Sequence, residues 1–193
     1  MGPVSQRRFI QETERYLTAV TQEAQLREKR TILDLASYNV LRRQNSGAPY
    51  SFELFGYLFG VDLPDEVYNH PVMREMYFAA VDMICWANVR TGASELYDAY
   101  RLPQDVYSYK VEVQGGLEGN NVLSVLRKEL DITLQDAVDY AGAHFKDLVE
   151  RFEVGKTHMP SFGKDIDPIV LSVVSLRFVA IFFADFYPGN FIL

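Results

Sequence analysis

The sequence contains a single cysteine and comparatively few basic residues. With Cys85 alone it cannot form an internal disulfide or a zinc site made of several thiolates. Because Cys85 lies in an apolar run, we expect it to be a packed core thiol. Acidic residues outnumber basic ones by 26 to 19, which gives a formal net charge of −7. This charge argues against a general binder of nucleic acid or of anionic membranes, so an anionic ligand would need local cations.

The sequence also lacks internal repeats, low-complexity segments and the period-two alternation that is typical of β-strands. Its first residues are polar, so no secretory signal is predicted and we expect a cytoplasmic protein. The apolar stretch 169–183 contains Arg177 and is shorter than a typical transmembrane helix, so we expect no stable membrane insertion. No nucleic-acid partner is expected, and the oligomeric state stays open.

Apolar side chains recur with the helical period along most of the chain, which predicts an all-α fold built as a helical bundle. Helices are predicted over residues 5–30, 31–43, 51–59, 69–88, 105–113, 120–130 and from 133 to a loop at 155–168. The first is predicted to be amphipathic, with apolar positions Phe9, Leu17, Val20 and Ala24. The last begins with a capping box of Thr133 and Asp136. Its apolar face consists of Leu134, Val138, Ala141, Phe145, Leu148 and Phe152.

Ser108 and Glu112 lie four residues apart on a predicted helix and therefore share one of its faces. Hydroxyl and carboxylate oxygens are ligands for a hard cation such as Mg²⁺. One more oxygen ligand a turn earlier would complete a strip, and Asn88 is a better candidate than Gln104, although residues 89–104 follow it. The alternative is a polar helix face on which this spacing arose by chance.

A second candidate site is the segment 38–47, Tyr-Asn-Val-Leu-Arg-Arg-Gln-Asn-Ser-Gly. The guanidinium of Arg42 is a planar fork that suits phosphate oxygens. It is predicted to lie at a helix end, beside a break at Asn45 and Ser46 where backbone groups become available. The alternative is a positively charged helix C-terminus without any function.

Together the two segments resemble motifs of class I terpene cyclases, most closely those of fungal sesquiterpene synthases. Joined without residues 89–104, the chain contains Asn-Asp-Val-Tyr-Ser-Tyr-Lys-Val-Glu, which is similar to the second metal motif of the family, Asn-Asp-x-x-Ser-x-x-x-Glu. The segment 38–47 is similar to the family pattern Tyr-x-x-x-Arg-Arg-x-Thr-x-Gly. Asn88 follows Arg42 by 46 positions (88 − 42), which is close to the usual separation in the family. The resemblance covers roughly residues 7–163.

The resemblance implies an incomplete class I terpenoid synthase bundle. The implied function is Mg²⁺-dependent ionisation and cyclisation of a prenyl diphosphate, with farnesyl diphosphate favoured, to a sesquiterpene. The site residues that it implies are Arg42 and Lys110 for the diphosphate, Asn45 and Ser46 for a break with an effector carbonyl, and Asn88, Ser108 and Glu112 for the metal. Phe55, Tyr57 and Trp86 are implied to wall an apolar pocket for a carbocation, although aromatic residues at helical spacing are more often ordinary core.

Three features depart from the family pattern. Residues 89–104 split the metal strip, and we interpret them as an insertion from an unspliced intron. No aspartate-rich first metal motif and no C-terminal Arg-Tyr pair is found in the sequence. We therefore predict a partial terpene synthase domain over 1–168, an apolar tail over 169–193 and little or no cyclase turnover. A non-catalytic helical binding or scaffold protein, or an inactive fragment produced by the gene model, are the alternatives.

Overall fold

The computed structural model describes residues 2–58, 60, 62–90 and 121–171, and of residues 87–90 only the backbone. The helices in these ranges are α1 (Pro3–Glu28), α2 (Leu35–Asn45), α3 (Ala48–Leu58), α4 (Asp65–Tyr68), α5 (Pro71–Arg90), α6 (Val122–Leu130) and α7 (Leu134–Thr157), and residues 167–171 are helical as well. No β-strand occurs in this part of the chain. The prediction of an all-α fold is therefore confirmed.

The core lies where α5 packs along α7, with α6 against the same pair. Its fully buried side chains include Met76 and Met83 from α5, Leu126 from α6, and Leu148 and Phe152 from α7. These large apolar groups recur at helical spacing on each helix, so each helix buries one continuous stripe. Removal of this surface from water drives the packing of the bundle.

The N-terminus of α7 has the predicted capping box. The Asp136 N–H donates to Thr133 Oγ1 at 3.1 Å, and the Thr133 N–H donates to Asp136 Oδ2 at 3.2 Å. Four of the six predicted face residues are buried, but Leu134 is 37% exposed and Val138 is only partly buried. The buried stripe of α7 begins at Ala137, one turn later than predicted, so Leu134 precedes it.

The predicted loop at 155–168 begins too early, because α7 continues to Thr157 and includes Gly155. A Cβ on Gly155 would lie 2.4 Å from Cγ of Met76 on α5. The glycine therefore permits close approach of the two helices instead of ending one of them. A glycine can end a helix or permit close contact between two helices. The sequence does not show which of these roles Gly155 has, and the packed structure does.

Several other helix boundaries differ from the predicted ones. α1 covers Pro3–Glu28 instead of 5–30, and α2 covers Leu35–Asn45 instead of 31–43. α3 begins at Ala48, three residues earlier than predicted, with Pro49 in its first turn, where the missing N–H of proline is tolerated. α5 is continuous through Asn88, as predicted, and its backbone continues to Arg90. Residues 89 and 90 of the segment interpreted as an insertion are therefore helical.

The face that α1 buries is not the predicted apolar face. Ser5, Arg8 and Ala19 are buried, whereas Leu17 is 59% and Val20 is 39% exposed. The prediction of an apolar face is therefore wrong for Leu17, Val20 and Ala24, whereas Phe9 is half-buried and its ring centre lies 6.3 Å from that of Tyr50. Hydrophobic periodicity assumes that the apolar side faces the core. The inward side of α1 instead combines polar contacts with the rings of Phe9 and Tyr16, which pack edge-on against Tyr50.

Arg8 makes most of those polar contacts. Its guanidinium donates to the carbonyl of Leu63 and, at 3.0 Å, to Asp65 Oδ1. Its Cζ lies 4.1 Å from the centre of the Tyr68 ring, within the range of a cation–π interaction. A buried charge with these partners avoids most of the penalty for leaving water, so α1 can be buried along a polar face.

Asp62 caps the N-terminus of α1 from a distant loop. Its carboxylate accepts hydrogen bonds from the N–H groups of Val4 at 3.0 Å and Ser5 at 2.7 Å, while Gly2 at the N-cap position offers no side chain. Burial alone would raise the pKa of Asp62, but these backbone hydrogen bonds, with help from Arg8, lower it below the ordinary value of 3.8. The charged carboxylate therefore stabilises the folded state.

We expect Asp62→Ala to lower the free energy of unfolding by about 1 kcal/mol at pH 7, because helix caps contribute about that much. A carboxyl whose pKa is depressed in the folded state stabilises it above the unfolded pKa, and this contribution disappears as the pH falls through the folded pKa. The difference in the free energy of unfolding between the variant and the unaltered chain should therefore become smaller below pH 3.8. Urea unfolding at pH 7 and pH 3 measures it. Exposed Asp165→Ala is the control, and an equal difference at both pH values contradicts the prediction.

The described part of the C-terminal stretch is short. Val170 is buried against the core, and residues from 172 onward lie outside the described ranges. No helix among the described residues is long and apolar enough to cross a membrane. The domain boundary at 168 and the separate character of 169–193 stay predictions.

Candidate functional site

The helical path breaks between α2 and α3 at Ser46 and Gly47, one residue later than the predicted break at Asn45 and Ser46. α2 ends at Asn45, Ser46 is its C-cap residue, and α3 begins at Ala48. Between them Gly47 has a φ of +74°, in the left-handed region that residues with a Cβ rarely adopt. The break is therefore only two residues long and is built on glycine.

Backbone carbonyls at the break lack the hydrogen bonds of a continuous helix. Pro49 has no N–H, so the carbonyl of Asn45 cannot receive the α-helical hydrogen bond from that position. The Ala48 N–H donates to Ser46 Oγ at 3.2 Å instead of to a carbonyl. Within the described ranges, no backbone N–H donates to the carbonyl of Asn45 or Ser46. Both oxygens are available to a ligand or to water.

Arg42 is half-buried beside this break and is held by polar neighbours. Its Nη1 donates to Asn45 Oδ1 at 3.2 Å, and Asn45 Nδ2 donates to Glu23 Oε2 of α1 at 2.6 Å. Burial alone would lower the pKa of Arg42, but the nearby Cys85, Tyr38 and Glu23 side chains raise it overall. Arg42 is therefore a cation at every physiological pH.

The adjacent Arg43 has a different role. Its Nε and Nη2 donate to the two carboxylate oxygens of Asp82 on α5, at 2.6 and 2.7 Å. This hydrogen-bonded pair is the main cause of the raised pKa of Arg43, and its Cζ also lies 5.0 Å from the centre of the Phe78 ring. A bidentate pair of this kind connects α2 to α5. Arg43 therefore stabilises the packing of α2 against α5.

Cys85 also connects α5 to the break. Its thiol donates to the carbonyl of Arg42 at 3.5 Å, and the residue is buried. Burial raises the pKa of Cys85, so the group is a neutral thiol at physiological pH. The prediction of a packed core thiol is confirmed.

Most of the predicted metal strip lies outside the described residues. Asn88 is within the helical backbone of α5, nearly one turn beyond Cys85, but its side chain is outside the description. Ser108, Lys110 and Glu112 fall in the range 101–120, which is also outside. The described part of the chain holds no group of three or more His, Cys, Asp or Glu residues that could bind a metal ion. The three metal ligands and Lys110 stay predictions.

The three predicted pocket aromatics lie in different environments. Phe55 is half-buried and stacks on Phe52 with ring centres 5.7 Å apart, whereas Tyr57 is 63% exposed. Trp86 is buried, and its ring centre lies 4.2 Å from that of His144 on α7. Their assignment to one pocket stays a prediction.

The sequence does not point to Glu23, Asp82 and His144, which lie close to predicted site residues. Burial is the main cause of a lowered pKa at His144, so its ring is neutral at pH 7. None of the three belongs to a local motif, because each reaches its partner from another helix. Nothing in the sequence around Glu23 indicates that this residue contacts Asn45.

Gly47→Ala should destabilise the chain by about 1–2 kcal/mol, because a non-glycine residue at positive φ is strained by about that amount. The added Cβ would also lie 3.1 Å from the hydroxyl oxygen of Tyr50. Thermal and urea unfolding measure the change. Gly60→Ala has a similar positive φ but open space around it, so it isolates the backbone contribution. A stabilised Gly47→Ala variant would contradict this geometry.

A family model described as terpene synthase family 2, C-terminal metal binding, matches residues 1–151. Linoleate 10R-lipoxygenase COP4 of Coprinopsis cinerea is 43% identical over 141 residues, which cover 73% of this chain and 36% of that protein. Sesquiterpene synthase PILCRDRAFT_825684 of Piloderma croceum is 35% identical over 189 residues, which cover 98% of this chain and 49% of that protein. This chain thus spans less than half the length of these relatives.

A solved structure shows the same fold. The crystal structure of a-eudesmol synthase superposes with a TM-score of 0.73 at 20% identity, over 98% of this chain and 58% of that chain. At this identity the likeness concerns the fold alone. The helices, the break beside Arg42 and the match over residues 1–151 lead to one conclusion: the chain belongs to terpene synthase family 2.

Proposed function

We propose that this chain carries the diphosphate-recognition part of a sesquiterpene synthase and binds a prenyl diphosphate, with farnesyl diphosphate favoured, together with Mg²⁺. The observation that supports this most is the contrast between two adjacent arginines. Asp82 holds Arg43 through two hydrogen bonds, whereas Arg42 lies beside the helix break and donates to the neutral amide of Asn45. Among the described residues no carboxylate forms an ion pair with Arg42, and its guanidinium has further N–H donors for phosphate oxygens.

The helix break supplies the complementary partial charge. The carbonyl oxygens of Asn45 and Ser46 receive no backbone hydrogen bond from the described residues. Beside a bound diphosphate, such an oxygen stabilises the positive charge that develops on the substrate carbon as the carbon–oxygen bond breaks. This is the proposed role of the break, with Arg42 binding the departing diphosphate.

Asn88, Ser108 and Glu112 are the proposed metal ligands, an all-oxygen set that fits a hard divalent cation. α5 brings the backbone of Asn88 near the break, since Cys85, on the preceding turn, contacts the carbonyl of Arg42. When bound, Mg²⁺ stabilises negative charge on the diphosphate as a Lewis acid.

Lys110 is proposed to donate to the same leaving group. Phe55, Tyr57 and Trp86 are proposed to keep water from the carbocation and to stabilise it through their ring faces. The buried position of Trp86 and the half-buried position of Phe55 support this role better than the exposed position of Tyr57.

We further propose that turnover by this chain is low. Residues 89–104 place Asn88 twenty positions before Ser108 (108 − 88), whereas the family pattern places the two ligands four apart on one helix face. The one-face arrangement of the family pattern is therefore lost in the sequence, and the two ligands can bind one ion only if the chain between them brings them together again. Diphosphate binding through Arg42 does not depend on this register.

Calorimetric titration of the full chain with inorganic diphosphate, with and without Mg²⁺, tests the proposed binding. We expect saturable binding that EDTA reduces by at least about tenfold, since divalent metal neutralises much of the ligand charge. Incubation with farnesyl diphosphate and Mg²⁺, followed by product extraction, tests turnover. Absence of diphosphate binding would favour a non-catalytic helical scaffold, and abundant terpene product would refute the proposed low turnover.

A further inference from the structure

Three polar side chains form a chain of hydrogen bonds from α1 to the end of α2. Glu23 Oε2 accepts from Asn45 Nδ2 at 2.6 Å, and Asn45 Oδ1 accepts from Arg42 Nη1 at 3.2 Å. The first contact joins residues 22 positions apart in the sequence, on two different helices. The family resemblance assigns no role to Glu23 or to α1.

The direction of these hydrogen bonds is set by the carboxylate. An ionised Glu can only accept, whereas an Asn amide has one donating and one accepting end. Glu23 therefore requires the NH₂ group of Asn45, which turns the amide oxygen towards the guanidinium of Arg42. Arg42 can only donate and selects the same amide orientation, so the two contacts reinforce each other, and loss of the Glu23 carboxylate leaves the amide held at one end alone.

The arrangement also keeps the carboxylate away from the anion site. A carboxylate paired directly with Arg42 would compete with a diphosphate for the same donors. Here the neutral amide of Asn45 stands between Glu23 and Arg42, so Arg42 contacts an amide oxygen with only partial charge, in addition to its hydrogen bond with the Tyr38 side chain. The charge of Glu23 also favours the cationic form of Arg42.

We propose that Glu23 is a positioning residue that acts through Asn45 to hold Arg42 in the orientation that binds diphosphate. This inference rests on the proposed function, because it assigns the diphosphate to Arg42. It extends the site to α1, whose docking against α2 and α3 then determines how Arg42 is presented. Diphosphate affinity should therefore respond to a side chain that does not touch the ligand.

Titration of inorganic diphosphate with Mg²⁺ into variants of the full chain tests the inference. Glu23→Ala is expected to weaken affinity about tenfold, and Glu23→Asp about as much, because the shorter side chain keeps the charge but loses reach. Glu23→Gln still offers an acceptor oxygen and should stay within about threefold of the unaltered chain. Glu14→Ala, an exposed carboxylate on the same helix, is the matched control and should change nothing.

A double-mutant cycle separates action through Asn45 from independent action. Asn45→Ala should weaken affinity as much as Glu23→Ala does, and the double variant should be no weaker than Asn45→Ala alone. Additive losses would overturn the inference, as would an unchanged affinity in Glu23→Ala or a Glu23→Gln variant as weak as Glu23→Ala. Melting curves check that each variant folds, and if Glu23→Ala does not fold, the Asp and Gln variants carry the comparison.

A second readout distinguishes failure of this inference from failure of the proposed function. The ¹⁵N–¹H signals of the Arg42 guanidinium, assigned by comparison with Arg42→Lys, should show restricted rotation in the unaltered chain and in Glu23→Gln. They should lose it in Glu23→Ala. If the unaltered chain binds no diphosphate, the proposed function fails, and these signals still decide whether Glu23 orients Arg42. Equal mobility in all three chains overturns the inference.

Discussion

Replacement of Arg42 by alanine should lower the affinity of the chain for diphosphate in the presence of Mg²⁺ by about tenfold to a hundredfold. The estimate follows from charge-assisted hydrogen bonds, which contribute about 1.5–3 kcal/mol each, where about 1.4 kcal/mol corresponds to a factor of ten. The guanidinium lies beside the helix break and donates to a neutral amide, so no other described cation at the break can replace it without leaving Asp82. Calorimetric titration measures the change.

Two further variants sharpen this test. Arg42→Lys keeps the charge but loses the planar fork, so we expect an intermediate loss of affinity. Arg15→Ala removes an exposed arginine that pairs with Glu12 on the outer side of α1, and it should leave affinity unchanged. Equal losses in Arg42→Ala and Arg15→Ala would mean that the chain attracts diphosphate through its general charge, and Arg42 would then have no special role.

Phe152→Ala should have the largest effect on stability, lowering the free energy of unfolding by about 3–5 kcal/mol. The side chain is fully buried on α7, in the stripe that packs against α5, so its removal leaves a cavity that its neighbours fill only in part. A loss of this size is a large fraction of the stability of an ordinary domain. Urea or thermal unfolding measures it, and a large fraction unfolded at 25 °C is itself a positive result.

The matched control lies two residues along the same helix. Val154 is 56% exposed, so Val154→Ala should change the free energy of unfolding by less than about 0.5 kcal/mol. Both variants remove apolar atoms from α7, and they differ in burial and in the number of atoms removed. If both cost the same, the packing of α7 against α5 is not what stabilises the bundle.

The helix break illustrates what local sequence can predict. Ser46, Gly47 and Pro49 interrupt a helix by their own chemistry: a hydroxyl that binds the backbone, a residue free to adopt positive φ, and a missing N–H. None of these effects needs a distant partner. The capping box of Thr133 and Asp136 is predictable for the same reason, because both of its hydrogen bonds lie within three positions.

The structural role of a single residue in these helices depends on its contacts with residues that are distant in the sequence. Gly155 is of a residue type that often ends helices, but it lies inside α7, because Met76 of α5 occupies the space where its Cβ would be. Leu17 is of a residue type that is usually buried, but it is largely exposed, and Arg8 with its partners lies on the buried side of α1. Helix propensity and hydrophobic periodicity describe one helix at a time, so they predict neither the packing role of Gly155 nor the exposure of Leu17.

The sequence by itself therefore determined the all-α class, the helix break, the cap of α7 and the family resemblance carried by two spaced motifs. The tertiary structure decided how the two arginines differ and what orients one of them. Asp82 reaches Arg43 across 39 positions, and Glu23 reaches Asn45 across 22. The physical reason is that a hydrogen bond between side chains on different helices depends on how those helices pack. Local sequence specifies each helix, whereas packing specifies which of their polar groups meet.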